Sequence, residues 1–467
     1  MRSFKDEFNF DLSSLKSELD PFRERNKWIF LVLLCLSQLG QLYNSQAIPT
    51  LQVPFEKEMG MDEIAYSHLV IAETLPGLLF PLIGGYLVDY FGASVSFLAT
   101  NIFIVIGQII CTLATFNKSL TVFIIGKMLF NAASETAMLS RSKIMRIWYI
   151  NNDLGKALSA AVVMQTGATI ICDLVYPNLY QLTHSLGFPF LVGVGVCLIS
   201  AFICYKCVNM HRELLSSQDT GSLSEEGNKN ISFKDIKKFP KIIWLLLGAA
   251  SLGADSFIIF KLYVSKYLQT SYNYSIGQAG FFLALSQVLT GIATPVAGFL
   301  TDKIGKLPIF LLISISMIQL GLFSSLLIPT CDRCVWPALP IVCMSIGLGP
   351  LFIAGYSSLV RIVDQKQLGI ATALIPVIIS AQMIVFAVAS GQIANFTFES
   401  SGYKWVFLFA LVIGLGGVFF AIWTEFADQR GDRKLQKRGN DTANVDSQGL
   451  IELTDFKTLA DQDSERR

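Results

Sequence analysis

Gly85-Tyr86-Leu87-Val88-Asp89-Tyr90-Phe91-Gly92 and Gly298-Phe299-Leu300-Thr301-Asp302-Lys303-Ile304-Gly305 carry Gly, Leu, Asp and Gly in register at an offset of 213 residues. Each stretch closes a long apolar run, and each stands at the same place in its half of the chain. Four matches in register at corresponding places are hard to attribute to chance. They read as two copies of one unit, and the architecture follows from what surrounds them.

What surrounds them is apolar. The chain is 52% hydrophobic and only 15% charged, with 35 Phe in 467 residues, whereas soluble domains carry about a quarter charged residues. A helix that crosses a bilayer needs roughly 20 mostly apolar residues. Such runs occur at about 27–48, 66–89, 94–115, 119–146, 155–180, 187–206, 241–269, 275–301, 307–329, 336–361, 367–395 and 403–426. A soluble helical protein with these runs would expose too much apolar surface. The expected fold class is therefore an all-α membrane protein of twelve transmembrane helices in two six-helix bundles, 27–206 and 241–426. Parallel six-helix repeats of this kind are one plan of membrane carriers. The polar stretch 207–240 contains SSQDTGSLSEEGNKN and reads as a flexible linker. Residues 1–26 and 427–467 read as polar tails, the second disordered. The first apolar run is too long for a signal-peptide core, so it is expected to stay as an uncleaved first span.

Lys and Arg set the expected orientation. Segments after even-numbered spans hold Arg141, Lys143 and Arg146; Lys234, Lys237 and Lys238; Lys303 and Lys306; Arg361 and Lys366. The first loop after an odd-numbered span instead holds Glu56, Glu58, Asp62 and Glu63. The positive-inside rule then places both termini in the cytosol. The net charge of +1 gives no support to a nucleic-acid partner. Of the nine Cys, Cys35, Cys111, Cys172, Cys197 and Cys343 sit in apolar runs, where they behave as small hydrophobes. Cys331 and Cys334 form one CxxC, too few ligands for zinc; a local disulfide, or no bond, is expected. No metal or cofactor is expected. Neither is an enzyme: there is no nucleophile–base set or nucleotide loop, and His68, His184 and His211 lie near loops or helix ends.

The paired GxLxDxxG loops resemble the signature of the major facilitator superfamily. The resemblance implies that the Asp caps a neighbouring helix start and that basic residues tie the bundles together. Gly298, Asp302, Lys303 and Gly305, with Lys306, make a nearly complete second copy. The first, with Gly85, Asp89 and Gly92, has Tyr90 and Ala93 where basic residues belong, which puts a latch there in doubt. A broader similarity is to the lysosomal dipeptide-transporter branch. It rests on Tyr43-Asn44 with Ile48-Pro49-Thr50-Leu51-Gln52, Leu75-Pro76, Gly84 to Asp89, Ile106-Gly107-Gln108, Gly126-Lys127 through Ser134-Glu135, and Ile147-Trp148-Tyr149. Val363 through Gly369 and Ser401-Gly402-Tyr403 extend it into the second half.

Charges inside a bilayer are expensive, roughly 2.5–3.5 kcal/mol at a helix centre, and mark site candidates. Glu135 shares a stripe of span 4 with Lys127 and Asn131. An acid there suits a peptide amino group or a cationic side chain, and the resemblance also places a substrate-binding acid there; an internal ion pair is the alternative. In span 7, Lys261 sits where the family has a lysine and is read as a carboxylate ligand, with snorkelling to the interface as the alternative. Asp255 lies six residues earlier, about 240° round the helix, so both face one cavity only if the helix breaks. Gln38, Gln41, Tyr43, Asn44 and Ser45 make span 1 polar, to line a cavity or to bond neighbouring helices. Glu73, Asp173, Gln287 and Gln382 are weaker candidates. The family's span-5 arginine is missing: the matching stretch is Val163-Met164-Gln165-Thr166-Gly167. Arg141 or Lys261 substitutes for it, or the substrate differs.

Asp446-Ser447-Gln448-Gly449-Leu450-Ile451 fits an acidic dileucine sorting signal, with Asp446, Leu450 and Ile451 as the determinants. Sequons at Asn117, Asn273 and Asn395 fall on expected lumenal loops, and those at Asn230 and Asn440 on the other side. The expected function is alternating-access export of dipeptides, cationic ones included, from the lysosome to the cytosol, uniport or proton-coupled. A carrier of a sugar or organic anion, or a transporter-like scaffold for a membrane partner, are the competitors, and the plasma membrane is the alternative location. The resemblance also implies a glycosylated single-span accessory subunit; a homodimer is the other partner considered.

Overall fold

The computed structural model describes residues 21–149, 152–217, 239–363, 368–431 and 433–436. In hydrocarbon a backbone must satisfy its own polar groups, which an α-helix does within one segment. Among the described residues, twelve helices are long and apolar enough to cross a membrane. They are span 1 (Arg25–Thr50), 2 (Glu63–Phe91), 3 (Ala93–Phe116), 4 (Leu120–Trp148), 5 (Asn152–Thr183), 6 (Gly187–Ser217), 7 (Lys241–Tyr272), 8 (Ile276–Ile304), 9 (Leu307–Leu327), 10 (Ala338–Ile362), 11 (Leu368–Ser401) and 12 (Lys404–Arg430).

Two details depart from the sequence reading, and a third settles between its alternatives. Span 6 continues as helix through residues 207–217 of the expected linker. Cys207, Val208, His211 and Leu214 are buried there, and the Trp148 indole donates to His211 Nδ1 at 2.9 Å. Asn395 lies inside the helix of span 11 rather than in a loop, because the apolar run continues past it; Asn117 and Asn273 are exposed at helix ends. Cys331 and Cys334 are joined as a local disulfide.

Span 1 is interrupted twice, giving helical pieces Pro21–Leu36, Leu39–Asn44 and Ala47–Thr50. The second break has a covalent cause: the Pro49 ring clashes with the carbonyl four residues back, that of Ser45, and Pro49 has no N–H to offer it. At the first break Ser37 turns its hydroxyl onto Leu34 O (2.8 Å), while Ser200 of span 6 donates to Ser37 O at 2.6 Å.

The described residues pack as two compact units. The first takes those within 1–45, 79–169 and 185–229, the second those within 46–78, 170–184 and 230–467. Spans 1, 2 and 5 are thus each divided between units. The first unit centres on Phe30 stacked on Trp148 (ring centroids 3.8 Å apart), with Phe97, Phe130 and Tyr149 buried around them. Span 3 lies close on span 4: a Cβ at Gly107 would stand 2.8 Å from the Phe130 backbone nitrogen. In the second unit span 7 is the hub, packed by spans 9, 10, 11 and 12. Gly253, which the sequence offers as a point of distortion, serves close packing instead. The helix runs unbroken through it, and a Cβ there would meet Ile315 at 2.9 Å.

Candidate functional site

In the first unit, two anchors fix the register of spans 1 and 4. Lys127 Nζ donates to Asn44 O at 3.2 Å, at the broken end of span 1. Fourteen residues further along span 4, Arg141 lies within electrostatic reach of Cys35. The two spans run antiparallel, so Glu135, about 12 Å along the helix from Lys127, stands level with Gln38–Gln41. Asn44 is spent on structure: its amide donates to Gly40 O (2.7 Å) and to Cys197 Sγ of span 6 (3.3 Å). Tyr43 is buried beside it.

The groups at the level of Glu135 are not spent. Gln38 Nε2 and Gln41 Oε1 are buried without a hydrogen-bond partner, as is Arg141 Nε further along span 4, at the level of Cys35. Among the described residues none forms an ion pair or hydrogen bond with the half-buried Glu135 carboxylate. An unsatisfied buried polar group costs roughly 1–3 kcal/mol. At the level of an intramembrane carboxylate, such groups leave hydrogen-bonding capacity open. Lys127, in contrast, is a structural cation, held on Asn44 and 5.1 Å from the Phe130 ring.

In the second unit Lys261 lies within electrostatic reach of Asp173 and Glu73. Asp173 is fully buried; Thr50 donates to its Oδ1 at 2.8 Å, and its Oδ2 has no hydrogen-bond partner. Lys261 also lines a small cavity with Phe257, Phe282 and Ser286. Its volume of about 20 Å³ holds roughly one water. Asp255 is fully buried with neither carboxylate oxygen bonded; on the unbroken helix it faces away from Lys261. Gln382 Oε1 is likewise buried and unbonded, and Gln287 is half-buried.

A third cluster escaped the sequence reading. Lys266 Nζ lies 2.6 Å from Glu56 Oε2 and 2.5 Å from Glu63 Oε1. Tyr403 donates to Glu63 Oε1 at 2.6 Å, and Gln52 Nε2 reaches Glu56 at 3.2 Å and Glu63 at 3.4 Å. The ammonium also stands 4.3 Å from the Phe398 ring. Nearby, Tyr66 donates to Leu262 O at 2.9 Å and Ser265 to Thr50 O at 3.2 Å. This network ties the segment 46–78 to spans 7 and 12. Its one sequence signal was acids at 56 and 63 facing a lysine at 266; the acids had served only to orient the chain.

The signature loops are built alike. Gly92 and Gly305 both take positive φ, 83° and 73°, where a Cβ would be strained. Asp89 is paired with Lys143 from the end of span 4, and Asp302 lies within electrostatic reach of Arg361 from the end of span 10. Each half thus supplies its loop acid with a cation from the equivalent helix. Gly85 and Gly298 have open space where a Cβ would be; it is Gly84 whose Cβ would run into Thr136, at 2.5 Å. The sorting residues Asp446, Leu450 and Ile451 lie outside the described residues, as do Asn230 and Asn440.

Twelve membrane-length helices, a duplicated signature loop and charges held inside the spans define a multi-pass membrane transporter. Residues 30–375 and 245–459 match the Major Facilitator Superfamily, and the chain belongs to that family. The lysosomal dipeptide transporter MFSD1 of Homo sapiens is 21% identical over 408 residues, 85% of this chain and 85% of that protein. Its Danio rerio counterpart is 20% identical over 389 residues, 80% and 82% of the two chains. The peptide transporter POT in complex with sulfate superposes with a TM-score of 0.67 at 13% identity, over 87% of this chain and 96% of that one. The nucleoside transporter NupG gives 0.66 at 13% identity, over 85% and 99%. These relatives and folds are transporters, not enzymes.

Proposed function

We propose that this transporter exports dipeptides, cationic ones included, from the lysosome to the cytosol. It works by alternating access, with the two six-helix bundles rocking about the segment between spans 6 and 7. The observation that carries the reading is the Glu135 carboxylate, kept in the membrane with no ion-pair or hydrogen-bond partner among the described residues. It receives the peptide amino group or a cationic side chain, beside the unbonded amides of Gln38 and Gln41. Lys261 takes the carboxylate end. The names of the relatives support the substrate class and the compartment; a glycosylated single-span subunit and a second copy of the chain are the partners proposed with it.

The test is a thermal-shift screen of purified protein against dipeptides, amino acids and sugars, since a ligand of the folded state raises its apparent stability. It is followed by Glu135→Gln. Charge-assisted hydrogen bonds contribute about twice as much as neutral ones. Losing one is expected to weaken dipeptide binding by roughly 1.5–3 kcal/mol, tenfold or more, with little change in the unliganded midpoint. Unchanged affinity in a destabilised variant would falsify the binding role.

One observation favours a second reading. Residues 163–167 hold no arginine to engage a peptide backbone, which suits another small organic solute. A shift with sugars or organic anions and none with dipeptides selects that reading in the same screen.

A further inference from the structure

Spans 8 and 9 are consecutive but hardly touch; both seat on span 10 instead. Their close approach to it uses small residues. A Cβ at Gly349 would meet the Thr294 nitrogen of span 8 at 2.8 Å, and one at Gly347 would meet Ser314 O of span 9 at 2.7 Å. Two helices held apart on one floor leave a groove between them. It has a volume of about 480 Å³, within the roughly 300–1,000 Å³ of small-molecule sites. Val296 and Leu300 form one wall, Ile313 the other, and Ile346, Gly347 and Pro350 the floor. The polar side chain in its lining, Ser314, gives its hydroxyl to Phe310 O at 2.6 Å. A polar solute finds nothing there to bond.

Beyond one end of the groove stand two exposed lysines. Leu300 of the lining is one helical turn before Lys303, and Phe310 of the lining is four residues after Lys306 at the N-cap of span 9, so both lysines lie about one turn beyond this end of the groove. Both are exposed, and neither side chain pairs with a described residue; the Lys306 backbone amide donates to Gln436 O at 3.4 Å. The adjacent acid, Asp302, has Arg361 as its electrostatic partner. Eight spans precede this loop, so it lies on the same side of the membrane as the N-terminus.

We propose that the groove between spans 8 and 9 binds an anionic phospholipid, an acyl chain lying on the span 10 floor and the phosphate held by Lys303 and Lys306. Apolar grooves take hydrocarbon, and lysines at a membrane surface select anionic head groups. The bulk bilayer would fill the groove with any chain; the lysines make the occupant specific. On this reading the signature lysines of the second loop face lipid.

The test uses the full-length protein in nanodiscs of phosphatidylcholine doped with phosphatidylglycerol, with lipid retained after release into detergent counted by native mass spectrometry. Wild type is expected to retain phosphatidylglycerol over phosphatidylcholine. Lys303→Ala/Lys306→Ala is expected to cut that preference by about tenfold or more, at about 1 kcal/mol per lysine. Ala293→Trp, which fills the groove, is expected to lose retention of both lipids. A thermal scan of each variant separates unfolding from lost binding, and the two exposed lysines are not needed for packing. Equal retention of the two lipids by wild type overturns the proposal. So does a preference unchanged in the lysine variant, or preferential retention of an added sterol, which would make the occupant a neutral lipid. The result does not depend on the transported solute.

Discussion

Glu135 and Lys266 are both charges on membrane helices, and they meet the cost of burial in opposite ways. Lys266 is saturated by Glu56, Glu63 and two aromatic faces; the Glu135 carboxylate has no ion pair or hydrogen bond among the described residues. Removing one member of a buried ion pair strands its partner and costs about 3–5 kcal/mol. Lys266→Met is therefore expected to lower the thermal midpoint sharply, since it leaves two carboxylates side by side. Lys266→Met/Glu56→Gln/Glu63→Gln should recover much of the loss. A single variant as stable as wild type would show that the network carries no stability. Glu56 lies outside the spans, and burial raises its carboxyl above the ordinary 4.5, with Lys266 opposing the shift. Its folded form then holds the proton more tightly than its unfolded form. By linkage, the stability owed to it falls as pH rises from 4.5 through the raised value, then levels off. Thermal scans across that window should show a slope that Glu56→Gln flattens; an identical slope in both proteins would refute the assignment.

Among the elements, the signature loop turns on its last glycine. Gly92 and Gly305 share the left-handed φ, whereas Gly85 and Gly298 would hold a Cβ in open space. Gly92→Ala and Gly305→Ala are expected to cost roughly 1–2 kcal/mol each, seen as lowered thermal midpoints. Gly85→Ala and Gly298→Ala should be neutral or slightly stabilising. The reverse ranking would mean that the motif's first glycine is kept for a state other than this one. Span 1 shows the same economy: Pro49 breaks the helix, and the carbonyl of Asn44 at that break is where Lys127 bonds.

For the whole molecule, orientation and sorting are the open quantities. Single cysteines placed in 218–238, between spans 6 and 7, are expected to react with an impermeant label only from the cytosolic side. Labelling from the lumenal side would reverse the topology and remove the positive-inside argument. Leu450→Ala/Ile451→Ala is expected to move the protein toward the cell surface. A variant that stays fully lysosomal would show the dileucine string to be incidental.

The number of spans, their approximate limits and the duplication were legible in the sequence because bilayer thickness and backbone satisfaction act locally. Twenty apolar residues in a row have one good solution, and a turn that needs positive φ keeps its glycine in both copies. Glu135 was legible for the same reason, as an isolated cost inside an apolar run. Whether that cost was met by a partner was not legible. Glu56 and Glu63 lie more than 200 residues from Lys266, and only the packing of 46–78 on span 7 brings them to 2.5–2.6 Å. The groove between spans 8 and 9 was hidden likewise, for it exists because two neighbours in sequence both chose span 10 as their support. Local composition decides which segments enter the membrane. Which charges are then satisfied and which remain open is a property of distant helices, and the tertiary structure alone decides it.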